Sequence, residues 1–185
     1  DAIWYGRTIY HNILKFCRFQ LVINVAAVVV SAVAPFFGVE EPLKVTHLLF
    51  VNLVMDGLGA MMLGNEPALH KYMKEAPRKR DESIISKDMA IQIGWSGVWL
   101  VILSFLFLKL PVISHIFDNE AEHLTAYFVL FIFSALFNGF NVRDDRFGIF
   151  KRLNENPDFL KVFFIIMLVP VSYTHLRAHE TTLHL

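Results

Sequence analysis

The sequence has little cysteine: Cys17 is the only one in 185 residues. That excludes a disulfide framework and any multi-cysteine zinc or iron–sulfur site. It has no net charge, with 17 Lys and Arg against 17 Asp and Glu. A simple nucleic-acid binder would show a basic balance or stripe, so no nucleic-acid partner is expected. Charge of either sign is sparse, at 18% of residues, where a soluble domain carries roughly a quarter. A secretory signal is lacking as well, because Asp1 to Tyr10 mixes polar and aromatic residues without a basic start and a short apolar core. The chain does not open on methionine and shows no internal repeat. It is read as beginning inside a longer protein.

What is abundant is apolar sequence, 55% of residues, including 18 phenylalanines gathered into a few runs. A helix needs about 20 apolar residues to cross the hydrocarbon core. Four runs approach that length, at 19–37, 45–63, 89–108 and 124–140, and a fifth at 159–171 is cut short by a change in composition. Backbone groups in lipid must be satisfied internally, and none of the runs alternates as a barrel strand does. The expected fold class is therefore all-α, a polytopic transmembrane helical bundle of about five spans with the last truncated. Residues 1–18 are expected to form a stalk entering the first span, and 19–171 the transmembrane domain.

The connections agree with this reading. Residues 38–44 make a tight loop containing Pro42, so the first two spans form a hairpin. Arg7, Lys15 and Arg18 precede the first span. Lys71, Lys74, Arg78, Lys79, Arg80 and Lys87 fill the next connection on that side, and Arg143, Arg146, Lys151, Arg152 and Lys161 the last. Only Lys44 and Lys109 lie opposite. Such an asymmetry puts the N-terminal end in the cytoplasm. The last residues, 172–185 (SYTHLRAHETTLHL), abandon the apolar pattern. His175 and His179 are spaced as two ligands on one helical face, but the segment resembles translated adapter sequence and is read as a non-native tail.

One acidic residue, Asp56, lies deep inside an apolar run. An ionised side chain at mid-membrane costs about 2.5–3.5 kcal/mol on the insertion scale, which makes it a functional candidate. Asn52 lies one helical turn earlier, and Asn24 lies on the first span, which the hairpin holds against the second. A carboxylate and two amide carbonyls in a dry setting suit a hard cation such as Ca²⁺. Each asparagine reads equally well as interhelical glue. Gly57, Gly59 and Gly64 follow the aspartate; they allow close helix approach and also make local unwinding cheap. His47 reads as interfacial, Cys17 as a packed thiol, and Trp95 and Trp99 as facing lipid or a neighbouring helix.

Three motifs then carry a family resemblance: GRTIYHNILKF (Gly6–Phe16), LLFVNLVMDGLGAMMLGNEPA (Leu48–Ala68) and LFNGFNVR (Leu136–Arg143). In that order and spacing they resemble the fifth, sixth and eighth membrane helices of P-type cation-transporting ATPases, most closely calcium pumps of the plasma-membrane type. The resemblance covers about residues 3–171. It implies that the spans are helices five to nine of a ten-helix pump in the cell membrane. It also implies that Asn52, Asp56 and Asn24 are metal ligands for transported Ca²⁺. Ala27 and Ala135 stand where two-ion pumps carry glutamates, which implies a single ion. The D-K-T-G and T-G-E motifs and a nucleotide-binding domain are not in this sequence. The chain therefore holds no catalytic or cofactor-binding residue, ATP and Mg²⁺ belong to missing cytoplasmic domains, and it is inactive alone. The implied partners are the bilayer and the N-terminal part of the same pump. Mn²⁺, Mg²⁺ or Na⁺ as cargo, or a secondary ion transporter, are the alternatives.

Overall fold

The structure, a computed structural model, describes residues 2–76, 84–117, 119–143 and 156–168. The basic residues Arg78, Lys79, Arg80, Arg146, Lys151 and Arg152 lie outside these, as does the tail with His175 and His179. All regular structure among the described residues is helical. Helix α1 runs over Ala2–Val33, so the expected stalk and first span are one continuous rod. Pro35 supplies no N–H, and the chain tightens into a 3₁₀ turn at Ala34–Phe37. Gly38 closes the turn at φ 73°, a left-handed conformation that suits glycine, with its N–H donated to the Pro35 carbonyl.

The second span is built of three pieces: α2 over Val45–Phe50, a π-helical turn over Val51–Met55, and α3 over Asp56–Gly64. A 3₁₀ turn at His70–Lys74 follows. Helix α4, Lys87–Lys109, starts where Ser86 Oγ accepts the Met89 N–H at 3.2 Å. It ends before Pro111, which opens the short helix α5 (Pro111–Ser114). Helix α6 spans Glu120–Arg143, with Glu120 and Glu122 in its first turn and Arg143 in its last, as the helix dipole favours. A final helix, α7, occupies residues 157–168. Its cap is Asn156, whose Oδ1 accepts the Phe159 N–H at 3.0 Å, and Pro157 takes the first helical position. The last residues of the fifth apolar run, 169–171, lie outside the described residues.

Four helical stretches are long and apolar enough to cross a membrane: Ala2–Phe37, Val45–Gly64, Lys87–Lys109 and Glu120–Arg143. The protein is thus a multi-pass membrane protein with an all-α bundle. Its outward faces are apolar too: Leu53, Ile91, Trp95, Val98 and Trp99 are all exposed, as suits a bundle solvated by lipid. Trp95 and Trp99 meet edge to face at 6.4 Å on that surface.

Since lipid is as apolar as leucine, close packing has to hold the helices together. The centre of that packing is Phe19 of α1, fully buried between α3 and α6. A Cβ added at Gly59 would stand 2.8 Å from the Phe19 ring. One at Gly139 would stand 2.8 Å from the Met62 methyl and 3.5 Å from the same ring. These two glycines let three helices converge on one side chain. Gly57 and Gly64 face open space. At the far side, Phe140 packs edge to face on both Phe159 and Phe163 at 4.9 Å and fastens α7 to α6.

The Phe19 crossing gives a direct test. Gly59→Ala forces the buried ring aside and is expected to destabilise the bundle by about 1–3 kcal/mol. Gly57→Ala meets nothing and is expected to be near neutral or slightly stabilising. Denaturant titration in mixed micelles, following tryptophan fluorescence, would distinguish the two; equal effects would contradict the packing described.

Candidate functional site: an in-span carboxylate facing amide side chains

Asp56 begins α3 immediately after the π turn. A π turn closes its hydrogen bonds one residue further along than an α-turn, and such turns recur at functional sites. The Asp56 N–H bonds back to the Leu53 carbonyl, a tight closure directly after the wide one. The irregularity therefore precedes the aspartate. Of the two roles open to the glycines beyond it, close helix approach and local unwinding, the second is not taken: Asp56–Gly64 is regular α-helix. Gly59 instead serves close approach, against the Phe19 ring.

The carboxylate of Asp56 is half-buried and turned toward α1. There its Oδ2 accepts a hydrogen bond from Gln20 Nε2 at 2.7 Å. A bond to a charged acceptor at that distance is among the stronger kinds. Asn24 lies one turn beyond Gln20 on α1 and is partly buried. Asn52 lies one turn before Asp56 across the π turn and is exposed rather than dry. The widened turn rotates it relative to Asp56, so the two do not share one interior face as a regular helix would make them. Among the described residues no hydrogen bond joins Asn24 or Asn52 to Asp56. The structure thus couples Asp56 to α1 and leaves both asparagine amides uncommitted.

Gln20 is not among the residues singled out from sequence. Its signal is its spacing: a neutral polar side chain four positions before Asn24, in a run otherwise apolar from Phe19 to Val30. Among the described residues there is no cluster of three or more His, Cys, Asp and Glu side chains able to hold a metal. Cation binding at this place would rest on one carboxylate and neutral oxygens, a set fit for a hard ion and poor for a soft one.

A second polar centre lies at the end of the bundle where α1 starts. Glu66, its side chain 4% exposed, accepts hydrogen bonds on Oε1 from Arg143 Nε at 2.6 Å and from Asn156 Nδ2 at 2.8 Å. Lys15 Nζ stands 3.8 Å from Oε2. Asn12 of α1 donates to the Gly64 and Glu66 carbonyls at 2.9 and 3.0 Å, and the Arg143 guanidinium lies 4.7 Å from the centre of the Phe159 ring. Arg143 and Lys15 read as topology charges in the sequence. In the structure they converge on one carboxylate. Arg18 adds a bond from its guanidinium to the Val142 carbonyl at 2.6 Å and another to Gln92.

The start of α1 is gripped by the connection after α3. Arg7 donates to the Tyr72 and Glu75 carbonyls, both at 2.7 Å. His11 stacks on Tyr72 at 3.9 Å and lies 2.9 Å from Glu75 Oε2. At the other end of the bundle His47 is buried and stacked on Phe128 at 4.2 Å. Cys17 is partly buried against Val22, Met89 and Ile93.

These observations define a class: a multi-pass helical membrane protein with a carboxylate deep in one span held by an amide of the neighbouring helix. Sequence comparison carries this further. The family described as "Cation transporting ATPase, C-terminus" matches residues 40–183, and the chain belongs to it. Among curated relatives, "Calcium-transporting ATPase 9, plasma membrane-type" of Arabidopsis thaliana is 34% identical across 98% of this chain and 18% of its own length. "Plasma membrane calcium-transporting ATPase 2" of Oreochromis mossambicus is 33% identical across 88% and 16%. "Calcium-transporting ATPase 1, plasma membrane-type" of Oryza sativa subsp. japonica is 40% identical across 77% and 14%. The chain therefore spans less than a fifth of the length of these relatives.

The Glu66 centre generates a prediction. Glu66→Ala removes the buried carboxylate that Arg143 Nε and Asn156 Nδ2 share and is expected to cost about 3–5 kcal/mol. Replacing both together, as Glu66→Leu with Arg143→Met, is expected to recover most of that loss. A double-mutant cycle by denaturation in micelles would measure the coupling; additive losses would show that the two side chains do not act as a pair.

Proposed function

We propose that this chain is the membrane portion of an ATP-driven Ca²⁺ export pump. On this reading Asp56, Asn52 and Asn24 provide part of the transmembrane ion site. What carries it is that the one carboxylate deep in an apolar span among the described residues meets a polar neighbour, Gln20, on the adjacent helix. Keeping such a group in a membrane needs a compensating use, and cation transport supplies one. The names of the relatives favour Ca²⁺ as the cargo.

In this reading the end of the bundle that holds Arg7, Lys15, Arg18 and Arg143 faces the cytoplasm, and the cation enters from that side. One carboxylate leaves a divalent ion with uncompensated charge, so the rest of the pump has to bring another anion against the exposed face of Asn52. ATP and Mg²⁺ would act in cytoplasmic domains of the longer protein, where the phosphorylated residue would also lie. Movement there would reach the site along α1, a single helix from Ala2 to Val33. Asn12, Phe19 and Gln20 all touch the second span or the turn after it, so α1 and α3 would move as a pair. Affinity would then collapse when this pair separates from whatever covers Asn52.

The test is made in the full-length protein that this reading requires. Asp56→Asn is expected to abolish Ca²⁺-dependent phosphoenzyme formation from ATP. An unchanged Ca²⁺ dependence would overturn the assignment. Across Ca²⁺, Mn²⁺, Mg²⁺ and Na⁺, the strongest stimulation is expected from Ca²⁺; a stronger response to another ion would keep the pump and change its cargo.

A further inference from the structure

The geometry points to Gln20 as an additional ligand of the transported cation, its side-chain carbonyl joining Asp56, Asn52 and Asn24. This inference rests on the ion site proposed above and extends it by one residue.

The argument starts from the hydrogen bond. Ionised Asp56 can only accept, so the Gln20 atom 2.7 Å from Oδ2 is the amide nitrogen, and the carbonyl Oε1 is left for another partner. The last torsion of a glutamine is broad and roughly two-fold, so turning the amide over is cheap. A cation arriving at Asp56 would meet the positive N–H edge of the amide and repel it. The same cation would attract Oε1. One side chain can thus serve the carboxylate as donor and the cation as ligand, with no change of backbone.

Donor counting supports the same conclusion. Ca²⁺ takes about 6–8 oxygens. Asp56 supplies at most two, and Asn52 and Asn24 one each, which leaves the set short. Gln20 sits one turn from Asn24 on α1 and already touches the carboxylate, so its oxygen lies where the missing donor is needed. It adds an oxygen without adding charge. The site stays at a single negative charge, compatible with a half-buried position in a membrane.

A ligand and a mere hydrogen-bond partner respond oppositely to one substitution. Gln20→Met removes both the donor and the oxygen. Gln20→Glu removes the donor but keeps an oxygen ligand and adds charge. Equilibrium binding of radioactive Ca²⁺ to the full-length protein, without ATP, reads both. Gln20→Met is expected to weaken Ca²⁺ binding by about tenfold, the size of losing one modest ligand. Gln20→Glu is expected to bind at least as tightly as the unaltered protein. Gln20→Asn, polar but one carbon too short to reach, is expected to follow the methionine variant and guards against misfolding of the latter. If Gln20→Glu weakens binding as much as Gln20→Met, Gln20 only holds Asp56 and the inference falls. If neither changes binding, it falls equally. Asp56→Asn in the same assay separates the two levels. Loss of binding there with unaffected Gln20 variants sinks this inference alone, whereas undiminished binding sinks the ion site itself.

Discussion

The antiparallel pairing of α1 with α3 is the constraint on which the rest depends. Two amide side chains of α1 pin it: Gln20 on the Asp56 carboxylate, and Asn12 on the Gly64 carbonyl. The ties are eight residues apart on each helix, about 12 Å at the rise of an α-helix, so they fix one register between the two rods. Phe19 fills the space between them, and Gly59 yields the room it needs. Without this pairing Asp56 would have no partner at its depth. With it, a costly anion becomes a fixed, directed acceptor inside the bundle. Glu66 extends the same frame outward, collecting Arg143 and Asn156 so that α6 and α7 join the block at the end where α1 begins.

Much of this was legible in the sequence, because lipid imposes simple rules. Apolar runs of the right length have to be helices, so the order of the spans and the hairpin at Gly38 followed from composition and turn residues alone. Asp56 stood out because nothing else acidic lies so deep. Less legible was anything that needs two distant segments to meet. Glu66, Lys15, Arg143 and Asn156 are each ordinary loop or helix-end residues when read locally, and only the fold reveals one buried centre. Gln20 was hidden for a different reason: it sits at the edge of its apolar run, next to the charged start of α1.

The second span shows how a periodicity argument fails where a helix changes its winding. Four-residue spacing puts Asn52 and Asp56 on one face of an α-helix, but the chain takes a π turn between them. Asp56 ends up against α1 and Asn52 exposed. A split arrangement of this kind suits a site with two walls, one built by this chain and one brought by a neighbour. On the proposed reading the neighbour belongs to the same pump. Family membership supports that view, and the small share of the relatives' length that this chain represents gives it physical room.

The orientation of Asp56 is the claim on which the account stands, and it can be measured without any transport assay. Solid-state NMR of the chain in lipid bilayers, with ¹³C at the Asp56 carboxyl and ¹⁵N at the Gln20 side-chain amide, would report the distance between them through their dipolar coupling. The account predicts a clear coupling, consistent with a direct hydrogen bond. No coupling, with the Asp56 signal broadened instead by a paramagnetic lipid, would place the carboxylate at the lipid surface and contradict it.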